Sequence, residues 1–348
     1  MRIAVVPGDG IGKEVIPATL PALTLLNEAL GLGLSYEVFD WGADRWLGTG
    51  VGLPPGALDE LARDYGAVFL GALGDPRIPD MAHGRDILLG LRRGLDLYVN
   101  HRPIELKHGV IDLYRENTQG LYAGVGGSVG RHGAATVAID ECVYTRETVE
   151  RFVRSCLTRL RAAGRRKVTL VHKSNAVPHT GRLWQQVFRH EAEAFPELEA
   201  SEEYVDSFCY HLVRDPKPYE GVLAPNLFGD IISDIGAALM GGLGLASSAS
   251  ICPETGFALC EPVHGSAPDI AGKGTANPYA ASMSLALLLD HAGHEDAGRL
   301  LRTCTADVAR GEAATPDLGG TGTTRQFMAE VTALIERRLT TAGAAPRP

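Results

Sequence analysis

The sequence predicts an α/β protein built on a largely buried sheet, and three observations carry that expectation. Apolar, β-branched runs at Ile3–Val6, Ala67–Leu73 and Val168–His172 alternate with stretches of helical periodicity, as strands joined through helices do. The runs are continuously apolar, which suits strands covered on both faces. The chain has 348 residues, 45 % of them hydrophobic, enough for one large or two interlocked domains.

Taken in order, Ile3–Val6 forms a first strand and a helix begins near Gly12. A later helix ends near Tyr65, just before the strand Ala67–Leu73. From about Glu147 to Ala163, Val149, Phe152, Val153, Cys156, Leu157 and Leu160 fall on one stripe while arginines take the other face, so this helix packs on the sheet. Val168–His172 and Gly221–Ala224 follow as strands. Gly124–Gly133 (GVGGSVGRHG) reads as a mobile hairpin or arm, and residues 340–348, small and rich in Pro and Ala, as a flexible tail. No internal repeat is found.

The net charge of −9 provides no field for nucleic acid or anionic lipid, so neither is an expected partner. Six cysteines are scattered without a CxxC pair, as in proteins whose thiols stay reduced, and a cytoplasmic location is expected. The opening MRIAVVPGDG reads as a strand rather than a signal peptide. Ile235–Ala249 is broken by glycines and too short to span a bilayer.

Gly8-Asp9-Gly10-Ile11-Gly12 follows a strand and opens a helix, but its spacing is not G-x-G-x-x-G. Asp40 is also poorly placed for a ribose-binding acid, so the segment reads as a tight turn rather than a Rossmann fingerprint. Asp230 and Asp234, in NLFGDIISD after the strand Gly221–Ala224, are four apart. On a helix, two carboxylates so spaced share a face and can share a hard cation. The apolar run that follows buries that helix, and Asp206 in YVDSF is a candidate third acid. Arg92, Arg93, Arg102 and Arg115 form a basic group, and convergent guanidiniums suit a di- or tricarboxylate, although single arginines usually make surface ion pairs. Lys173 ends an apolar strand, where burial makes an amine a plausible base. Tyr122 is either a packed aromatic or a phenol donor. Glu261–Pro278 (EPVHGSAPDIAGKGTANP), with His264, Asp269 and Asn277, is a rigid ligand loop.

These segments together resemble the β-decarboxylating dehydrogenases, the family of isocitrate, homoisocitrate, 3-isopropylmalate and D-malate/tartrate dehydrogenases. The resemblance runs through GDGIGKEV, LRRGLDLYVNHRP, YRENTQGLY, HKSN, NLFGDIISDIGAA, EPVHGSAPDIAGKGTANP and TPDLGGTGTT, nearly the whole chain. It implies the isopropylmalate-dehydrogenase-like, non-Rossmann α/β fold: two domains sharing a mixed sheet, in a homodimer with shared active sites. The large, cofactor-binding domain is expected over residues 1–99 and 252–348. The small domain, for dimerisation, metal and catalysis, is expected over 100–251.

By the same resemblance, Arg92, Arg102 and Arg115 grip the malate portion of a hydroxy-dicarboxylate substrate, and Leu88 and Leu89 read its C3 group. Tyr122 is the proton donor, and Lys173, contributed by the neighbouring subunit, handles the hydroxyl proton. Asp230 and Asp234 bind Mg2+ or Mn2+ with Asp206 from the other subunit. Asn175, the loop His264, Gly265, Ser266, Ala267, Pro268, Asp269 and Ile270, and Asn277 and Asp317 hold the cofactor. Asp269 can accept from a ribose diol and repels a 2′-phosphate, so NAD is expected over NADP. Two leucines favour an alkyl or small C3 group, as in 3-isopropylmalate, whereas Arg115-Glu-Asn-Thr-Gln-Gly is closer to the isocitrate, homoisocitrate and tartrate branches. Arg85 and Asp86 depart from both patterns, which leaves a specialised biosynthetic paralogue open. A non-catalytic subunit of the same fold is the rival outside the enzyme class; it is disfavoured because every acid, the tyrosine and the lysine are present.

Overall fold

The computed structural model describes residues 1–131 and 134–343. The chain forms two compact units: Met1–Leu95 with Gly242–Ala249 and Thr255–Pro348, and Asp96–Gly241 with Ser250–Glu254.

The first unit opens with β1 (Arg2–Gly8), α1 (Gly12–Leu30), β2 (Ser35–Val38), α2 (Ala43–Thr49), α3 (Ala57–Asp64) and β3 (Ala67–Ala72). β1 lies parallel to both β2 and β3, with Ile3 opposite Tyr36 and Val5 opposite Phe69. Ile3–Val6 and Ala67–Leu70 are buried on every residue, which explains why neither strand carries a polar alternate. The β1–α1 turn is left-handed at Gly8 and Gly10, where φ is 71° and 49°. A Cβ on Gly10 would stand 2.1 Å from the carbonyl oxygen of Ser266, so glycine here admits a neighbouring backbone. A helical segment then carries α4 (Ala82–Gly84), a π turn (Arg85–Leu89) and α5 (Gly90–Gly94).

The second unit contains β4 (Val99–Leu106), β5 (Gly109–Glu116), the hairpin β6 (Gly126–Arg131) and β7 (Ala134–Asp140), α6 (Arg146–Ala162), β8 (Lys167–His172), α7 (Pro178–Ala192), β9 (Glu199–Tyr204), α8 (Val205–Arg214), β10 (Gly221–Ala224) and α9 (Asn226–Met240). Its strands are ordered β4-β5-β10-β8-β9. β4 and β5 are antiparallel and the remaining pairs parallel, so the sheet is mixed. Thr145 caps α6 by accepting from the Thr148 N–H, and the expected apolar stripe is wholly buried with Trp184 and Phe188 of α7. The glycine-rich arm is the β6–β7 hairpin, which extends beyond the expected segment to Asp140; His132 and Gly133 lie outside the described residues.

β11 (Ser247–Cys252) precedes β12 (Phe257–Pro262), which pairs parallel to β3 with Leu259 opposite Val68. α10 (Tyr279–His291), α11 (Glu295–Val308) and α12 (Thr324–Gly343) complete the first unit. α12 continues through the first residues of the expected tail, and residues 344–348 lie outside those described. Among the described residues no helix is long and apolar enough to cross a membrane.

Candidate active site

In the second unit the site is built around α9. This helix buries Gly229, Ile232, Ser233, Gly236 and Ala237, which leaves Asp230 and Asp234 together on its less buried side, as their spacing requires. Arg102 on β4 and Arg115 on β5 approach from the sheet, 7 % and 2 % exposed. A guanidinium so deeply buried must be paired. Arg115 donates to Asn226 Oδ1 from Nε at 2.9 Å and Nη2 at 2.7 Å, and to Asp230 Oδ1 from Nη1. Arg102 donates to Asn100 Oδ1 at 2.8 Å, Ser233 Oγ at 2.6 Å and Asp230 Oδ1 at 3.4 Å. The close approach of Arg115 depends on Gly229, where a Cβ would fall 2.7 Å from Arg115 Cβ.

Tyr122 stands on a short 3₁₀ turn, Leu121–Ala123. Its hydroxyl donates to Asp230 Oδ2 at 2.7 Å, and Arg115 lies over its ring at 5.1 Å. Burial and the bond to Asp230 push the phenol above its ordinary pKa, so it stays protonated at neutral pH. Burial, and then the charge of Asp230, likewise push the Asp234 carboxyl up. This strained pair of acids would be relieved by a divalent cation, and an all-oxygen donor set suits Mg2+ or Mn2+.

Lys173 follows β8, and its ammonium donates to Asp206 Oδ1, on the first turn of α8, at 2.5 Å. That bond holds the Asp206 carboxyl below its ordinary range. Among the described residues no three acidic, His or Cys side chains of one chain gather into a metal site; within the chain, Asp206 is the partner of Lys173. Asn175 is exposed on the turn after Lys173.

In the first unit, Leu88 and Leu89 are half-buried in the π turn. Arg92 on α5 is buried and donates to Glu261 Oε1 of β12 at 2.9 Å. Arg85 is turned to the carbonyl of Asp80 at 2.6 Å, and Asp86 Oδ2 accepts from the Gly52 and Leu53 N–H groups at 2.9 and 3.1 Å. The two departures from the family pattern are therefore engaged within the first unit, Arg85 by a neighbour in sequence and Asp86 by backbone 34 and 33 residues away. His264–Ile270 forms a loop with left-handed Ala267 at φ 39°. The Ser266 carbonyl accepts from the Ile11 N–H at 2.9 Å, Asp269 is exposed, and Asn277 donates to Asp317 at 2.8 Å. His264 Nε2 is buried without a partner, and burial holds the imidazole below its ordinary pKa. A neutral ring with an orphaned polar atom fits a loop that receives a polar ligand.

Sequence reasoning did not single out Asn226, Ser233, Asn100 or Glu261, each of which holds one of the arginines. All four lie inside motifs already noted, but nothing local pairs them with their arginines: Arg92 and Glu261, for example, are 169 residues apart. The only available signal was that a buried arginine needs an acceptor.

A pair of acids beside two buried guanidiniums and a protonated phenol, on a mixed α/β scaffold, has the chemistry to take a small carboxylate and a cation. The profile of the isocitrate/isopropylmalate dehydrogenase family matches residues 2–331, and the chain belongs to this family. It is 41 % identical over 321 residues to 3-isopropylmalate dehydrogenase from Thermobifida fusca, covering 88 % of this chain and 90 % of that protein. Among solved structures, isocitrate dehydrogenase from Methylococcus capsulatus is similar with a TM-score of 0.86 and 35 % identity, covering 96 % of this chain and 99 % of that one. A beta-decarboxylating dehydrogenase from Thermococcus kodakarensis is similar with a TM-score of 0.82 and 34 % identity, over 100 % and 99 %. The protein is accordingly an oxidoreductase of the decarboxylating dehydrogenase class, acting on a CH–OH group.

Proposed function

We propose that the chain oxidises and decarboxylates a 3-substituted (2R)-malate to a 2-oxo acid, with an alkyl or small C3 group favoured and 3-isopropylmalate the leading substrate. The observation that carries this reading is the meeting of Arg102, Arg115 and Tyr122 on Asp230: carboxylate-binding groups and a proton donor beside a cation site. NAD is the proposed cofactor, because Asp269 is exposed in the loop and would repel a 2′-phosphate. The neutral His264, Asn277 and Asp317 would hold its adenosine, together with Gly265, Ser266, Pro268 and Ile270.

When bound, NAD would supply a hydride acceptor and Mg2+ or Mn2+ would supply positive charge for the substrate oxygens. Arg102 and Arg115 clamp the malate carboxylates, with Arg92 contributing from α5. Lys173 takes the hydroxyl proton and Tyr122 returns a proton at C3 after carbon dioxide leaves. In a homodimer, Lys173, Asn175 and Asp206 of one subunit would complete the site of the other, Asp206 joining Asp230 and Asp234; the 2.5 Å Lys173–Asp206 pair would deliver base and ligand together. The six unpaired cysteines suit the cytoplasm.

Leu88 and Leu89 present no charge to a C3 group, and Arg85, three residues before Leu88, is turned to Asp80. A distal carboxylate would be left unpaired there, which favours isopropylmalate over isocitrate or homoisocitrate. Absorbance at 340 nm with Mn2+, NAD and a panel of 3-isopropylmalate, isocitrate, homoisocitrate, D-malate and tartrate tests this. The highest specificity constant is expected with 3-isopropylmalate; silence across the panel, or a preference for isocitrate, overturns the reading.

A further inference from the structure

The segment from Ala82 to Gly94 is anchored at three points within the first unit. His83 Nε2 donates to Asp9 Oδ2 at 2.9 Å, with the two side chains 0 % and 1 % exposed. Asp9 also accepts from the N–H groups of Ala43 at 2.7 Å and Gly74 at 2.9 Å, so one buried carboxylate of the glycine-rich turn gathers three separate stretches of chain. Asp86 holds the Gly52 and Leu53 N–H groups, and Arg92 holds Glu261.

The π turn makes this possible. An α-helix rotates about 100° per residue, so His83 and Arg92, nine positions apart, would lie on opposite faces of a regular helix. The additional residue of a π turn removes roughly one residue's rotation and returns Arg92 toward the inward face. The burial agrees: His83, Ile87, Leu91 and Arg92 are buried, whereas Leu88 and Leu89 between the anchors are half-buried. The buried Nδ1 of His83 has no partner, and the ring's one observed polar bond is the one to Asp9.

We propose that His83, acting through Asp9, and Asp86 are positioning residues that set substrate selectivity by holding Leu88 and Leu89 at a fixed depth against the C3 group. This rests on the reading of the two leucines given above. A hydrophobic pocket discriminates by shape only while its walls keep their place. Loosening the anchors should therefore cost the larger, better-fitting substrate most, because a smaller one uses less of the wall.

The test uses the full-length chain with His83→Gln and Asp86→Ala, the second at an exposed position where folding is retained. The ratio of specificity constants for 3-isopropylmalate over D-malate is expected to fall about ten-fold or more in each variant. KM for NAD should stay within about two-fold of wild type. Amide hydrogen exchange across residues 85–92 should quicken in both variants. Equal losses with both substrates, or an unchanged ratio, mark a purely structural role and overturn the proposal. Exchange as slow as in wild type also overturns it, and that arm needs no activity. Should the wild-type chain turn over no malate at all, the functional reading fails separately and exchange still decides the anchoring.

Discussion

The hydroxyl of Tyr122 donates to Oδ2 of Asp230 at 2.7 Å while Oδ1 of the same carboxylate is held by Arg115. One acid of α9 therefore orients both the phenol and a buried guanidinium.

Tyr122→Phe removes the proposed proton donor without disturbing the ring beside Arg115. Turnover is expected to fall about 10²- to 10⁴-fold, the usual range for a positioned acid, with KM little changed. Steady-state kinetics at saturating Mn2+ check this; near-wild-type turnover would assign the C3 proton to another donor.

Asp234→Asn removes one carboxylate from a pair whose mutual charge and burial hold the Asp234 carboxyl above its ordinary range. The variant should bind Mn2+ more weakly by calorimetry and yet fold normally, because Asn100, Ser233, Asn226 and Asp230 keep their bonds to Arg102 and Arg115. In the wild-type protein, excess EDTA should abolish turnover and Mg2+ or Mn2+ should restore it.

Gly229→Ala opposes two effects. Alanine favours the helix by about 1 kcal/mol, but its Cβ would lie 2.7 Å from Arg115 Cβ, and overpacking of this kind costs about 1–3 kcal/mol. The clash should prevail: KM for the malate substrate rises as Arg115 shifts, and the urea midpoint does not increase.

Asp112 on β5 accepts from His101 at 2.8 Å and Arg165 at 2.6 Å. Burial alone would raise its pKa, but the interactions with His101 and Arg165 outweigh burial and lower it. A carboxyl depressed in the folded state contributes stability that is fully present above its unfolded value, about 4. That contribution is lost as pH falls through the lower folded value. Asp112→Asn should therefore lower the urea midpoint at neutral pH and narrow its gap to wild type under acid conditions. A gap that is constant with pH would contradict this.

The cofactor prediction turns on Asp269. Wild type should prefer NAD over NADP in specificity constant, and Asp269→Asn should narrow the preference by relieving repulsion of the 2′-phosphate. Equal use of both cofactors by wild type would remove Asp269 from that role.

Much of this protein was legible along the chain because its signals are local. The apolar runs of β1, β3, β8 and β10 and the stripe of α6 need only neighbours in sequence, and their expected bounds fall within a few residues of those observed. The spacing of Asp230 and Asp234 likewise places them on one helix side with no tertiary information. The π turn escaped notice because a one-residue shift of register within so short a helical stretch, Ala82 to Gly94, leaves no distinct signature in the apolar pattern.

By itself the sequence determined the α/β class, several of the strands and helices, and which residue types could bind a carboxylate, a cation and a dinucleotide. Only the tertiary structure decided which of those residues meet: Arg115 with Asn226 and Asp230, Arg92 with Glu261, His83 with Asp9, and Arg85 with Asp80. The physical reason is that periodicity records how one element meets the core, whereas a buried charge is satisfied by whichever acceptor the packed sheet brings within about 3 Å, most often from a distant part of the chain.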